Sequence, residues 1–147
     1  MIILVHPEIP QNTGNIARTC VVTNTPLTLV RPLGFSLSSK YMKRAALDYW
    51  TKLDLRVVDS LEEVLRPPFY FFSSKATRPY TEIAFEKEAQ LIFGSETAGL
   101  PAVLWQKWES HFYTIPMVKG ERSLNLSNAA AIVLYELLRQ QSFEQLH

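Results

Sequence analysis

Six short apolar runs, each bounded by turn residues, constrain this chain more than any other feature. They are Ile2–Val5, Leu27–Val30, Leu55–Val58, Phe69–Phe72, Leu91–Phe93 and Phe112–Ile115. Strands that are apolar on both faces belong to a sheet covered on both sides, and such sheets are predominantly parallel. Parallel neighbours need crossover connections, and stretches with helical character lie between the runs. The expected class is α/β, a parallel sheet flanked by helices.

The helices read as follows. Asn12 to Thr23 carries acceptable helix formers from the first run to the second. Ser60-Leu61-Glu62-Glu63 has the spacing of a capping box, with Pro67-Pro68 ending the short helix it opens. From Leu126 to Arg139, Ala129, Ile132, Val133, Glu136 and Leu137 follow helical spacing, and Asn125 or Ser127 can cap the start. Leu126, Ala130, Val133, Leu134, Leu137 and Leu138 make its apolar surface wider than one core-facing stripe needs. Deep burial explains that breadth, and so does contact with a second subunit.

The chain has 147 residues, 47% hydrophobic, with a net charge of +1. That size and balance exclude a disordered chain and fit one domain spanning 1–147. A single cysteine, Cys20, leaves no intramolecular disulfide and no cysteine pair for a metal. No apolar run approaches the roughly 20 residues that cross a bilayer. MIILV lacks a basic leader and runs directly into His6-Pro7-Glu8, unlike a signal peptide. A soluble, cytoplasmic protein is expected, with no membrane partner. Charge is uneven along the chain: residues 1–78 hold ten Lys/Arg against six Asp/Glu, and residues 79–147 hold five against eight. Such polarity can present a basic face to an anionic partner.

Three segments carry the candidate chemistry. The first, residues 6–20, leaves a strand and enters a helix, which puts Asn12, Asn15 and Arg18 near the carboxyl end of the sheet, where open α/β sheets bind ligands. The second, residues 93–101, leaves another strand into a loop bounded by Gly94 and Gly99. It has neither the Lys-Ser/Thr ending of a phosphate loop nor the spaced glycines of a dinucleotide fingerprint. Glu96 would repel phosphate, so a ligand with a positive centre or donor groups suits it better. The third, residues 115–128, is rich in hydroxyl and amide groups. Helix capping accounts for one or two of Ser123, Asn125, Ser127 and Asn128, not for four. Beside Ile115-Pro116-Met117, this cluster suits a ligand with a flat apolar body and polar edges, such as adenosine.

Together these segments resemble, in order, the three motifs of the SPOUT (SpoU–TrmD) superfamily of RNA methyltransferases. In detail the chain is similar to the small single-domain tRNA (cytidine/uridine-2′-O)-methyltransferases of TrmL/YibK type. The residues that carry the likeness are PEIPQNTGNIARTC at 7–20, FGSETAGLP at 93–101 and IPMVKGERSLNLSNAAAIVLYE at 115–136. One departure is Ser73-Ser74-Lys75-Ala76, at the cofactor rim, where Thr-Thr-Lys-Gly is expected. The resemblance implies a C-terminal trefoil knot, a fold feature that periodicity cannot reveal. It implies S-adenosyl-L-methionine as methyl donor, no metal, and a homodimer with sites at its interface. The acceptor it implies is the ribose 2′-OH of the wobble nucleotide of tRNA, cytidine or uridine, with leucine isoacceptors as expected substrates.

By the same resemblance Arg18 lies at the reacting hydroxyl, with Asn12 beside it, Ser123 and Asn125 shaping the site, and Glu96 orienting Arg18 or another group. Either Arg18 is itself an unusual base, or it holds a phosphate so that phosphate or water takes the proton. Phe72, Gly94, Ile115 and Ser123 match positions that hold the cofactor. For RNA, Lys40, Lys43 and Arg44 are spaced for one helical face, with Tyr41 and Tyr49 nearby; Arg31, Lys75, Arg78 and Lys119 are the alternative surface. The competing readings are an RNA-binding module of the same fold without catalysis, 2′-O-methylation elsewhere on RNA, and an α/β enzyme using NAD. The missing glycine fingerprint counts against the last.

Overall fold

The computed structural model describes the backbone of all 147 residues and the side chains of all but Tyr41, Ala45, Ala46 and Leu47. Strand β1 (Ile2–Val5) leads through α1 (Pro10–Val22) to β2 (Leu27–Val30), and α2 (Lys40–Ala46) leads on to β3 (Leu55–Val58). After β4 (Phe69–Phe72) and β5 (Gln90–Phe93) come α3 (Ala102–Trp108), β6 (Phe112–Tyr113) and α4 (Leu126–Gln140). The six strands form one sheet in the order β3-β2-β1-β5-β4-β6. Every pair is parallel, with Ile2 beside both Leu27 and Leu91 in the central register.

Alternation along the strands builds two cores. Ile2 and Leu4, with Leu27, Leu29, Leu91 and Phe93, pack against α1 and α4 through Ile16, Ala17, Val133 and Leu134. Ile3 and Val5, with Val30, Phe71 and Ile92, face the other way onto Leu61, Val64 and Leu104. Each fully buried Leu, Ile or Phe contributes about 1.5–3 kcal/mol through removal from water. This two-faced burial is what makes the strands read as continuous apolar runs.

Three boundaries differ from the sequence expectation, each for a local reason. The first helix begins at Pro10, not Asn12, because proline at the first helical turn loses no intrahelical bond. It ends at Thr23, whose hydroxyl donates back to the Thr19 carbonyl (2.7 Å), and Asn24 turns the chain with φ +52°. Strand β5 begins at Gln90, one residue early: the buried amide donates to the Val64 carbonyl (2.8 Å) and accepts from the Arg66 N–H (3.0 Å). Strand β6 stops at Tyr113 rather than Ile115. From Thr114 the chain changes partner, accepting from the Tyr80 N–H and donating to the Arg78 carbonyl (both 2.8 Å). The Ser60 segment forms a single tight turn at Leu61–Glu63, where the Glu63 carboxylate accepts from the Asp59 and Ser60 N–H groups (3.0 Å each).

Helix α4 buries Ala130, Val133, Leu134 and Leu137 and runs to Gln140, which donates to the Ile83 carbonyl and accepts from the Phe85 N–H. Leu126 and Leu138 pack against the same core, so burial within the chain accounts for the broad surface expected from the sequence. Ile132 (38% exposed) and Tyr135 (45% exposed), outside that surface, face outward, uncovered within the chain.

Candidate functional site

The strand order fixes where a ligand can sit. From β1 the chain turns outward to β2, and from β5 it turns the opposite way to β6, so the loops after β1 and β5 diverge at their carboxyl ends. A crevice opens at such a reversal. Here it is a cleft of about 370 Å³, reached by all three motif segments.

One carboxylate binds the first two segments together. Glu96 accepts from the backbone N–H of Glu8 (2.8 Å) and Ile9 (3.0 Å) and from the Asn12 amide (3.2 Å). Glu8 and Ile9 immediately precede α1, where free N–H groups favour a negative partner. Beside this contact the Thr97 hydroxyl donates to both Glu8 carboxylate oxygens (2.7 and 2.9 Å), which holds the Glu8 carboxyl below its usual range. The third segment joins through an amide pair: Asn125 donates to the Asn12 carbonyl oxygen (2.9 Å). Its own carbonyl oxygen then accepts from the Ser127 N–H (2.9 Å) and hydroxyl (2.6 Å), capping α4. A continuous line therefore runs Glu96–Asn12–Asn125–Ser127, its longest step joining residues 113 positions apart.

The loop between Gly94 and Gly99 is tight. Ser95 and Gly99 exchange backbone bonds (3.2 and 3.0 Å), and Gly99 has φ +70°. A Cβ on Gly94 would overlap the backbone of Gly99 and Leu100, so close approach is what requires glycine there.

Of the residues singled out from the sequence, Asn12, Glu96, Ser123 and Asn125 line this cleft, as do Phe72, Gly94 and Ile115. Arg18 does not. It is exposed on α1, with its guanidinium 5.0 Å from the centre of the Tyr49 ring. Of the two partners expected for Glu96, Arg18 or another site group, the carboxylate meets the second: its oxygens accept from Glu8, Ile9 and Asn12. Lys40, Lys43 and Arg44 are all exposed on α2, away from the cleft lining; the Tyr41 side chain lies outside the described residues. Sequence reading missed the Asn12–Asn125 pair and the Thr97–Glu8 contact, which no local spacing signals. Cys20 is buried in the α1 core, and desolvation pushes its thiol up to about 12. Among the described residues no cluster of His, Cys, Asp or Glu could hold a metal.

The fold and cleft define an α/β protein with a cleft at the carboxyl edge of a parallel sheet. Comparison makes this specific: residues 1–135 match the SpoU rRNA Methylase family, and the chain belongs to that family. A protein of Geobacillus stearothermophilus is 49% identical over 99% of this chain and 97% of its own. The tRNA (cytidine(34)-2′-O)-methyltransferase of Methylovorus glucosotrophus is 42% identical, covering 97% of this chain and 96% of its own. A solved structure concerned with 2-OH methylation of C/U34 on tRNA superposes with a TM-score of 0.89 at 41% identity, covering 97% and 96% of the two chains.

Proposed function

We propose that this protein is a cytoplasmic, single-domain methyltransferase acting on the ribose 2′-OH of the wobble nucleotide, cytidine or uridine 34, of tRNA. The observation that carries the reading is the cleft in which three motif loops are hydrogen-bonded into one unit, in a chain 42% identical to a relative of that designation.

The donor set fits S-adenosyl-L-methionine, the cofactor bound in a solved rRNA methyltransferase of this fold from Sinorhizobium meliloti. Phe72 and Ile115 offer apolar walls to an adenine ring, and Ser123 with the Gly94 loop offers polar edges. The Glu96 carboxylate in the cleft already has its oxygens engaged, so the remaining lining acts through neutral donors and acceptors. When bound, the cofactor supplies an electrophilic methyl group on a sulfonium. The chain's task is to align a weakly nucleophilic hydroxyl with that methyl and provide for its proton.

Arg18 is suited to holding a phosphate next to the acceptor rather than to serving as a base. Its position bears on assembly. Arg18 follows Asn12 by six residues, which turns it about 120° around α1 and moves it about 9 Å along the axis. With Asn12 facing the cleft, Arg18 serves a reacting centre belonging to a second copy of the chain. A homodimer is also favoured by the uncovered Ile132 and Tyr135 on α4, which packs against α1. A trefoil knot in the C-terminal half is part of the same proposal. It is supported by membership in the SpoU family, with the second and third motif segments lying in that half of the chain.

The test is transfer of labelled methyl from S-adenosyl-L-methionine to tRNA, with the modified nucleotide mapped. Arg18→Ala is expected to abolish transfer with cofactor affinity nearly unchanged. Equal loss of binding and turnover would overturn the role given to Arg18, and absence of transfer by the wild type would overturn the function.

A further inference from the structure

A second groove lies against the outer wall of the cleft. The Ser95–Gly99 loop separates the two, and Lys75 and Trp105 line both. The groove continues over Leu100 and Pro101 to Gln106, with His6 on its other side. Its lining differs from the first cleft in charge: it contains Lys75 and no carboxylate among the described residues, whereas Glu96 lines the cleft.

Trp105 gives this groove its chemistry. Its ring stacks on Phe112 with centroids 3.7 Å apart and planes 22° from parallel. Phe112 in turn stacks on Phe71 at 4.8 Å and 20°. Phe71 and Phe112 are buried in the sheet, so the column is anchored in the core and ends at a half-buried indole at the groove. An aromatic ring fixed in orientation, with a cation beside it and an amide in reach, is the equipment for a nucleotide: stacking for the base, Lys75 for its phosphate, Gln106 for a base edge.

We propose that this groove is a nucleobase subsite of the RNA substrate, in which Trp105 stacks the base next to the methylated nucleotide and Lys75 neutralises the intervening phosphate. The inference rests on the function proposed above and adds the element that holds the acceptor strand in place. Continuity with the cleft argues for a neighbouring nucleotide rather than a distant part of the RNA. The absence of carboxylates from the described lining argues for an anionic ligand.

The experiment uses anticodon stem-loop RNA carrying 2-aminopurine on either side of the wobble nucleotide. It is titrated with wild-type protein, Trp105→Leu, Gln106→Ala and Lys75→Ala, without cofactor. In the wild type the fluorescence of one of the two labelled RNAs is expected to be quenched on binding. Trp105→Leu is expected to remove that quenching and weaken binding about 5- to 150-fold, the range for loss of one stacked base. Lys75→Ala is expected to lower the salt slope of log affinity by about 0.7–0.9. Circular dichroism and thermal melting check that Trp105→Leu folds; if it does not, Gln106→Ala, whose side chain is exposed, carries the test with an expected loss of several-fold in affinity. Unchanged quenching in Trp105→Leu, or unchanged affinity in Gln106→Ala should Trp105→Leu not fold, overturns the subsite. Wild-type transfer to RNA distinguishes the two failures: an active enzyme with indifferent variants sinks only the groove, and an inactive one sinks both readings.

Discussion

Removing the Glu96 carboxylate tests whether the three loops are held as one unit. Glu96→Ala leaves three donors without their acceptor: the N–H groups of Glu8 and Ile9 and the Asn12 amide. The Ile9 bond is exposed, and water can replace it; the Glu8 and Asn12 bonds are partly buried. Taking about 1–2 kcal/mol for each of these two donors gives a loss of about 2–4 kcal/mol. For a chain of this length that corresponds to a fall of about 4–16 °C in melting temperature. Glu96→Gln keeps one carbonyl oxygen and sets its NH2 against an N–H, so it is expected to lose about half as much. The assay is urea denaturation at one fixed protein concentration, since any association adds to apparent stability. A double-mutant cycle with Asn12→Ala should give a coupling of about 0.5–2 kcal/mol. A Glu96→Ala midpoint equivalent to a change of less than about 0.5 kcal/mol, at unchanged m, would refute the reasoning.

The remaining predictions concern separate parts of the molecule. Gly94→Ala forces a Cβ into the Gly99 and Leu100 backbone, and a loss of at least about 3 kcal/mol, with no compensating gain in cofactor binding, is expected from denaturation and calorimetry. Cys20 should resist maleimide at pH 8 in the folded protein and react once urea unfolds it, because burial holds the thiol at about 12. With its folded value raised above the ordinary 9.0, the stability this thiol contributes is complete below pH 9 and declines as pH rises toward about 12, which denaturation across that window reads. Lys43→Ala and Arg44→Ala should each lower the salt slope of log tRNA affinity by about 0.7–0.9 and weaken cognate and non-cognate tRNA equally. Unchanged slopes would leave α2 a solvated face.

Most parts of the fold that were legible in the sequence share one physical property. Strands β1 to β4 match their apolar runs residue for residue: β1, β2 and β4 are buried almost throughout, so no solvent-facing position obscures their limits, while the edge strand β3 exposes Arg56 and is marked only by Leu55, Val57 and Val58. Gln90 lay outside this logic: it is polar by type and buried only because its amide finds Val64 and Arg66. Ile115 failed in the opposite sense, an apolar residue beyond the last pairing partner. At the site, residue types were legible and partners were not. Glu96 reads from sequence as a group for orienting Arg18 or another site residue, and two of its three donors are backbone N–H groups, which every non-proline residue carries and no sequence pattern marks. Trp105 gave no signal at all, because its place beside the cleft depends on a stack with Phe112 that only the sheet order creates.

Helix α1 separates the fold from the chemistry. Its Asn12 face is tied into the loop network, and Ile16, Ala17 and Cys20 are fixed in the core. Arg18, by contrast, makes one described contact of note, over the Tyr49 ring. A cation–ring contact at a solvent-accessible site, such as this exposed guanidinium over a half-buried ring, is worth about 0.5–1 kcal/mol. Losing it should therefore barely move the denaturation midpoint, while Glu96→Ala moves it by several times as much. If both variants lose methyl transfer, only the Glu96 loss can come through disordered loops; the Arg18 loss has to come from what the guanidinium does at the acceptor. The comparison sharpens in mixed dimers. If Arg18 serves the neighbouring cleft, an Arg18→Ala chain paired with a Glu96→Ala chain retains one cleft with an intact network, supplied by a partner that still carries Arg18. Equal mixtures of the two inactive variants should then recover about a quarter of wild-type activity, assuming random exchange into half heterodimers with one working site of two. If each chain serves its own cleft, every site contains a defect and the mixture stays inactive.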